Sequence, residues 1–170
     1  MVAKKLCSNL HLKVSCAVIT VSDTRNKDTD KSGKLIIDLL TGSSHQVNEY
    51  VIIPDDKDVI QRTIKDTIQR NDIEVVIVTG GTGIAKRDVT IESIQPLFDK
   101  ALPGFGELFR VLSFQFDIGS AALLSRAVAG VANQRIIFSV PGSTGAVKLA
   151  MDRLILPELA HLVLEATKDI

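Results

Sequence analysis

The sequence predicts an α/β fold in which a mostly parallel sheet, with one antiparallel strand, is covered by helices on both faces. Three observations predict it. Through the first ninety residues, short apolar runs alternate with amphipathic helical patterns. The resulting order, strand–helix–strand–helix–strand–loop–helix, is the one that builds parallel sheets. The strand segments are nearly continuous in apolar residues, as strands buried on both faces are. Later, two apolar runs lie close enough in sequence to form a hairpin, which supplies the antiparallel strand. The chain has 170 residues, 45% of them hydrophobic. That is enough for one domain with a full core, expected over residues 13–170 behind a polar N-terminal arm, residues 1–12.

The elements follow in order. Val14 to Val21 is the first strand, and Ser22 to Asp30 a polar loop. A helix spans about Ser32 to Leu40, with Leu35, Ile36, Leu39 and Leu40 on one face and Gly42 as a stop. Val47 to Ile53 is the second strand, closed by Pro54-Asp55-Asp56. The helix from about Asp58 to Gln69 carries Val59, Ile60, Ile64 and Ile68 at a period near 3.6. Glu74 to Val78 is the third strand, followed by Thr79-Gly80-Gly81-Thr82-Gly83 and a helix start near Thr90. Another helix starts at Pro103, and a short one covers Ala121 to Leu124. Residues 127–131 and 135–140 form the hairpin. The last helix opens after Pro141-Gly142-Ser143, and Pro157 marks a break or a new first turn within it.

Composition excludes several classes. Lys+Arg and Asp+Glu are both 20, so the net charge is zero. A general nucleic-acid binder usually carries a basic excess. No apolar run is long enough to span a bilayer and no signal-peptide pattern opens the chain, which makes the cytoplasm the expected compartment. Cys16 lies in an apolar strand and reads as a buried free thiol, and its pairing with Cys7 in a disulfide or metal site is not expected. His11, His45 and His161 share no metal-ligand spacing and read as surface or structural residues. Phe98, Phe105, Phe109, Phe114 and Phe116 fall in one region, as core or as a subunit contact.

In an open parallel sheet, ligands bind beyond the carboxyl ends of the strands. The chain places polar clusters there: Ser22-Asp23-Thr24, Asp55-Asp56, Gly80 to Asp88, and Gly142-Ser143-Thr144. Glycines at positions 80, 81 and 83 let a ligand approach backbone N–H groups, and N–H groups near a helix start attract anions. Lys86 and Arg87 add cations. Asp55 and Asp88 suit Mg²⁺, which takes one or two carboxylates together with substrate phosphates. Each acid has a plainer reading beside this one: a helix cap or first-turn acid for Asp88, turn chemistry for Asp55 and Asp56, and likewise a cap for Ser143. The loop is neither a P-loop nor a dinucleotide fingerprint, which weakens a nicotinamide oxidoreductase reading. No Ser/His/Asp or Cys/His arrangement is present. The chemistry is anion handling with a metal and without a covalent nucleophile.

Thr79-Gly80-Gly81-Thr82-Gly83 followed by Arg87-Asp88-Val89-Thr90 closely resembles the signature of the MoaB/MogA molybdopterin-binding family. Ser22-Asp23-Thr24, Pro54-Asp55, Pro103-Gly104-Phe105-Gly106-Glu107, Ser125-Arg126 and Pro141-Gly142-Ser143 recur in the family's order. The likeness covers about residues 13–167 and is strongest to the MoaB branch. It implies a three-layer α/β/α fold and a homotrimer or hexamer. It also implies transfer of AMP from Mg-ATP onto the terminal phosphate of molybdopterin, with release of pyrophosphate. The family's two essential aspartates match Asp55 and Asp88, implied as catalytic and Mg²⁺-holding residues. Ser22, Asp23, Gly80, Gly81, Thr82, Gly83, Arg87, Gly142 and Ser143 are the implied substrate and phosphate contacts. Some members of the branch lack an aspartate or the arginine before the second; this chain keeps Asp55, Arg87 and Asp88. The alternative is a non-catalytic molybdopterin-binding or carrier protein of the same pathway. Other enzymes of that pathway are implied partners, whereas nucleic acid and membrane are not.

Overall fold

The structure is a computed structural model that describes residues 12–168. Cys7, His11 and the expected arm lie outside the described residues, apart from Leu12, which packs against the core. The strands are β1 (Ser15–Val21), β2 (Gln46–Ile53), β3 (Val75–Thr79), β4 (Lys100–Ala101), β5 (Val128–Ala132) and β6 (Arg135–Val140). The helices are α1 (Lys31–Gly42), α2 (Lys57–Ile68), α3 (Thr90–Ile94), α4 (Pro103–Phe116), α5 (Thr144–Ala150) and α6 (Leu156–Thr167). The sheet order is β2-β1-β3-β6-β5-β4. The pairs β1/β2, β1/β3 and β3/β6 are parallel, and β5 runs against both of its neighbours.

Alternation along the central strands supplies both faces of the sheet. Cys16, Val18, Val75, Ile77, Ile136 and Phe138 pack with Ile36, Phe109, Val147, Met151 and Leu159, from the layer that holds α1, α4, α5 and α6. Ala17, Ile19, Val76, Val78 and Ile137 pack with Ile60, Ile64 and Ile94, from α2 and α3. The architecture is the expected three-layer one. Ile60 and Ile64 are fully buried, each contributing about 1.5–3 kcal/mol. Among the described residues, no helix is long and apolar enough to cross a membrane.

Several local expectations are sharpened. The hairpin turn is two residues long, with Asn133 and Gln134 at φ 47° and 61°, because the favoured type I′ turn needs positive φ at both positions. The left-handed residue after α1 is Ser44, φ 66°, and not Gly42. Edge strand β4 was too short to show a period. Pro157 stands in the first turn of α6, behind a wide π turn, Met151–Ile155. A proline cannot donate to the preceding turn, so the helix restarts there. Cys16 is a buried free thiol whose pKa burial pushes up to about 12, with a smaller contribution from Glu74. The phenylalanines divide. Phe105 stacks near buried Phe109, centroids 6.5 Å apart, and tilts onto Phe138. Phe98 packs on the opposite face of the sheet, whereas Phe114 and Phe116 are exposed.

Candidate functional site

The carboxyl ends of β1, β2, β3 and β6 surround one polar cavity of ≈ 380 Å³. From the loop after β1 come Ser22, Asp23 and Arg25, and from the end of β2 comes Asp55. The loop after β3 gives Gly80 to Gly83, Arg87 and Asp88, and the loop after β6 gives Gly142. Ser125 and Arg126 complete it. They precede β5, whose reversed direction makes its start share the edge where the parallel strands end.

The glycine loop is shaped by close approach. Gly80 and Gly81 adopt φ of 99° and 62°, a region that side chains disfavour. The Gly80 N–H is taken by the Val140 carbonyl at 3.1 Å. Among the described residues, the N–H groups of Gly81, Thr82 and Gly83 have no hydrogen-bond acceptor. Of the four residues expected to cradle phosphate, the last three are the ones with an N–H left for a ligand.

Both acids lie against this loop. A Cβ on Gly81 would sit 2.9 and 3.0 Å from the Asp55 carboxylate oxygens, and one on Gly83 2.5 Å from Asp88 Oδ2. The Asp55 carboxylate accepts weakly from the Val89 N–H at 3.4 Å, and its own N–H donates to Asp23 Oδ1 at 3.0 Å. Burial raises the Asp55 pKa, and the charges of Asp88 and Asp23 push the same way. The Val89 N–H and the Arg87 guanidinium oppose the rise without cancelling it. Asp88 accepts from the Ala85 N–H at 3.1 Å, inside its own loop. The residue flanking α3 is Val89, with no side-chain cap bond, so Asp88 does not cap that helix. Asp56 does cap α2, accepting from the Val59 N–H at 2.9 Å.

Ser143 is the site residue that the structure does not bring in. Its hydroxyl caps α5 by accepting from the Ala146 N–H at 3.2 Å, and it lies outside the cavity lining. Its structural task here is the cap, which uses one of the hydroxyl's lone pairs. Lys86 also lies outside the lining. Two arginines carry roles that the sequence reading did not assign. Arg126 donates to the carbonyls of Thr82 (2.9 Å) and Gly83 (2.7 Å) and pairs with Glu92, whose carboxyl it holds below its usual range. Arg25 reaches across to the Gly142 carbonyl at 2.9 Å.

The donor set suits a hard cation. Asp55 and Thr90 Oγ1 crowd the same point beside Gly81, and that hydroxyl is buried with no hydrogen-bond partner. No trio of His, Cys, Asp or Glu positioned for a metal occurs among the described residues. A site with two carboxylates is what Mg²⁺ uses when phosphates and waters supply the remaining oxygens.

The fold and cavity define a class: an open α/β sheet with a charge-lined cavity at its carboxyl edge, walled by glycine-loop amides and two aspartates. Comparison with known proteins places the chain within that class. Residues 17–161 match the family model described as "Probable molybdopterin binding domain", and the chain belongs to that family. It is 58% identical over 156 residues to molybdenum cofactor biosynthesis protein B of Bacillus subtilis (strain 168), covering 92% of each chain. To the protein of the same name from Staphylococcus aureus (strain MRSA252) it is 55% identical over 161 residues, covering 94% of this chain and 95% of that one. A crystal structure of molybdenum cofactor biosynthesis protein B superposes with a TM-score of 0.90 at 51% identity, covering 91% of this chain and 96% of the other. The tungsten cofactor synthesizing protein MoaB from Pyrococcus furiosus gives 0.80 at 42% identity, with 91% and 97% coverage.

Proposed function

We propose that the protein acts in molybdenum cofactor biosynthesis as a molybdopterin adenylyltransferase, working in the cytoplasm with Mg-ATP. One observation carries the reading: Asp55 and Asp88, from different strand ends, lie in one polar cavity against a glycine loop with uncommitted N–H groups. In the reaction, a phosphate oxygen of molybdopterin bonds to the α-phosphorus of ATP. The bond from that phosphorus to the bridging oxygen breaks, and pyrophosphate leaves with the electron pair. Both reactants are anions, so catalysis consists of alignment and charge neutralisation.

The chain's own residues divide that work. Gly81, Thr82 and Gly83 present backbone N–H groups to phosphate. Asp88 and Asp55 would hold Mg²⁺, with the Thr90 hydroxyl on the Asp55 side. Bound Mg²⁺ supplies charge neutralisation and a template for the phosphates. A cation there would offset the cost of Asp55's charge, which comes first from burial and then from the acidic neighbours Asp88 and Asp23. Asp23 fixes the Asp55 backbone, and Arg126 fixes the loop. The reading includes a homo-oligomer, trimer or hexamer. Leu108, Val111 and Phe114 are exposed on α4 and Leu123 beyond it, apolar side chains that a subunit contact would cover. Light scattering measures the assembly.

The deciding experiment is turnover. Asp88→Asn is expected to abolish Mg-ATP-dependent pyrophosphate release in the presence of molybdopterin while leaving pterin affinity within a few-fold. A wild-type protein that binds molybdopterin and never consumes ATP would sink the adenylyltransferase and leave a carrier.

A further inference from the structure

Three arginines line the cavity, and they are differently employed. Arg126 spends its donors on the Thr82 and Gly83 carbonyls and on Glu92. Arg87 is exposed, on the loop that carries Asp88. Arg25 is both anchored and left with donors to spare. Its Nη1 donates to Ser32 Oγ at 2.6 Å and lies 3.5 Å from Asp30 Oδ1, while its Nη2 donates to the Gly142 carbonyl at 2.9 Å. A guanidinium has more N–H groups than these bonds use, and a third of the side chain remains exposed.

The anchor is more elaborate than helix capping requires. Asp30 caps α1 through the Gly33 N–H at 3.0 Å. Its fully buried carboxylate also accepts from the hydroxyls of Thr20 (2.6 Å), Tyr50 (2.7 Å) and Ser32 (3.0 Å). Donors from β1, β2 and α1 thus fix one charge, and Ser32 relays it to Arg25. A long side chain normally loses rotamer freedom when it grips a ligand; here the folded protein has already imposed that order. The guanidinium sits beside Gly142, which in turn packs against Gly80. Placed on the β6 side of the glycine loop, Arg25 is the cation best arranged to hold a phosphate group that Asp55 and Asp88 cannot hold directly.

We propose that Arg25 is a phosphate-binding residue of this cavity and that Ser32 and Asp30 are positioning residues that aim it. The proposal rests on reading the cavity as a site for phosphorylated substrates, and it deepens that reading by naming the fixed cation. The ligand group is a phosphate, either of the nucleotide or of the pterin.

Calorimetric titration of the whole chain with inorganic pyrophosphate, without Mg²⁺, tests it independently of turnover. Arg25→Ala is expected to weaken binding about tenfold or more, as loss of charge-assisted bonds does. Arg25→Lys should recover only part, lacking the planar fork. Ser32→Ala should give an intermediate loss, measured well below its melting temperature because the buried Asp30 carboxylate also loses a donor, and no further loss when added to Arg25→Ala. It stands in for Asp30→Asn should that variant fail to fold. Titrations with ATP and with molybdopterin then assign the phosphate, since a loss confined to either supports the proposal. Arg25→Ala binding all three ligands within about twofold of wild type would overturn it, and additive losses in the double variant would overturn the positioning role. Absent adenylylation with Arg25-dependent pyrophosphate binding would defeat the proposed activity alone; full turnover with Arg25-independent binding would defeat this inference alone.

Discussion

Gly81→Ala separates the stability of the glycine loop from its chemistry. Gly81 sits at φ 62°, and an L-residue there costs about 1–2 kcal/mol in backbone strain. The new methyl would also collide with Thr90 Oγ1 and stand 2.9 Å from Asp55 Oδ2. Forcing atoms into a packed site costs about 1–3 kcal/mol. The sum, roughly 2–5 kcal/mol, is a large share of the 5–15 kcal/mol typical of a domain, so turnover is compared per folded molecule. Relief must come from Asp55 or Thr90, the groups nearest the proposed metal site. A displacement of about 1 Å there costs on the order of 10²-fold in rate. The expected result is a clear fall in denaturation midpoint and a large fall in pyrophosphate release per folded molecule. Gly104→Ala is the control: nothing lies within 4 Å of the added methyl, and alanine in a helix gains about 0.5–1 kcal/mol over glycine. A Gly81→Ala protein with wild-type turnover would refute the placement of Asp55 in the reacting site.

Asp55→Asn should stabilise the metal-free protein while removing activity. The folded protein raises the Asp55 pKa above its unfolded value, so folding carries a penalty that is full above the folded pKa and is relieved as pH falls through it. The variant's gain in melting temperature should be present at pH 7 and shrink in acid; an equal gain at all pH values would contradict the cause given. In a Cys7→Ser background, the Cys16 thiol should resist a water-soluble disulfide reagent until the protein unfolds, because it is fully buried and its pKa stands at about 12. Fast labelling of the native protein would show that β1 opens locally.

Most of the fold was legible because the central strands are apolar runs separated by helices whose Ile and Leu residues repeat near 3.6. The convergence of four strand ends followed from the topology alone. What was not legible depended on where single oxygen atoms are spent. Ser143, Asp56 and Asp88 all stand near helix starts in polar clusters, yet the first two cap helices and the third bonds within its own loop. Sequence position does not distinguish these outcomes, because capping is decided by a side-chain rotation. Arg25 was missed for a similar reason: it lies in a long polar loop, and only the fold shows Gly142 within its reach. Arg126 did leave a signal. Once residues 127–131 are read as an antiparallel strand, the residue before them belongs at the ligand edge.

That reversal has a chemical consequence. Had β5 run parallel to β6, its start would lie at the far edge and the Thr82 and Gly83 carbonyls would lack their charged donor. Arg126 thus ties the glycine segment down through two of its carbonyls, without being drawn from either segment that carries the acids. Arg126→Ala should therefore act locally. Its pairing with Glu92 involves partly exposed groups, with side chains 31% and 50% accessible, and such pairs contribute about 0–1 kcal/mol, so global stability should change little. Loss of the bonds to the loop carbonyls should speed exchange of the hydrogen-bonded loop amides, those of Ala85, Asp88 and Thr90, and lower turnover by roughly 10²-fold, the cost of a site about 1 Å out of place. Glu92→Gln removes the ion pair and keeps the loop bonds, so it should resemble wild type in both measurements. If Glu92→Gln instead matched Arg126→Ala, the ion pair would be the operative contact and the loop bonds incidental to it.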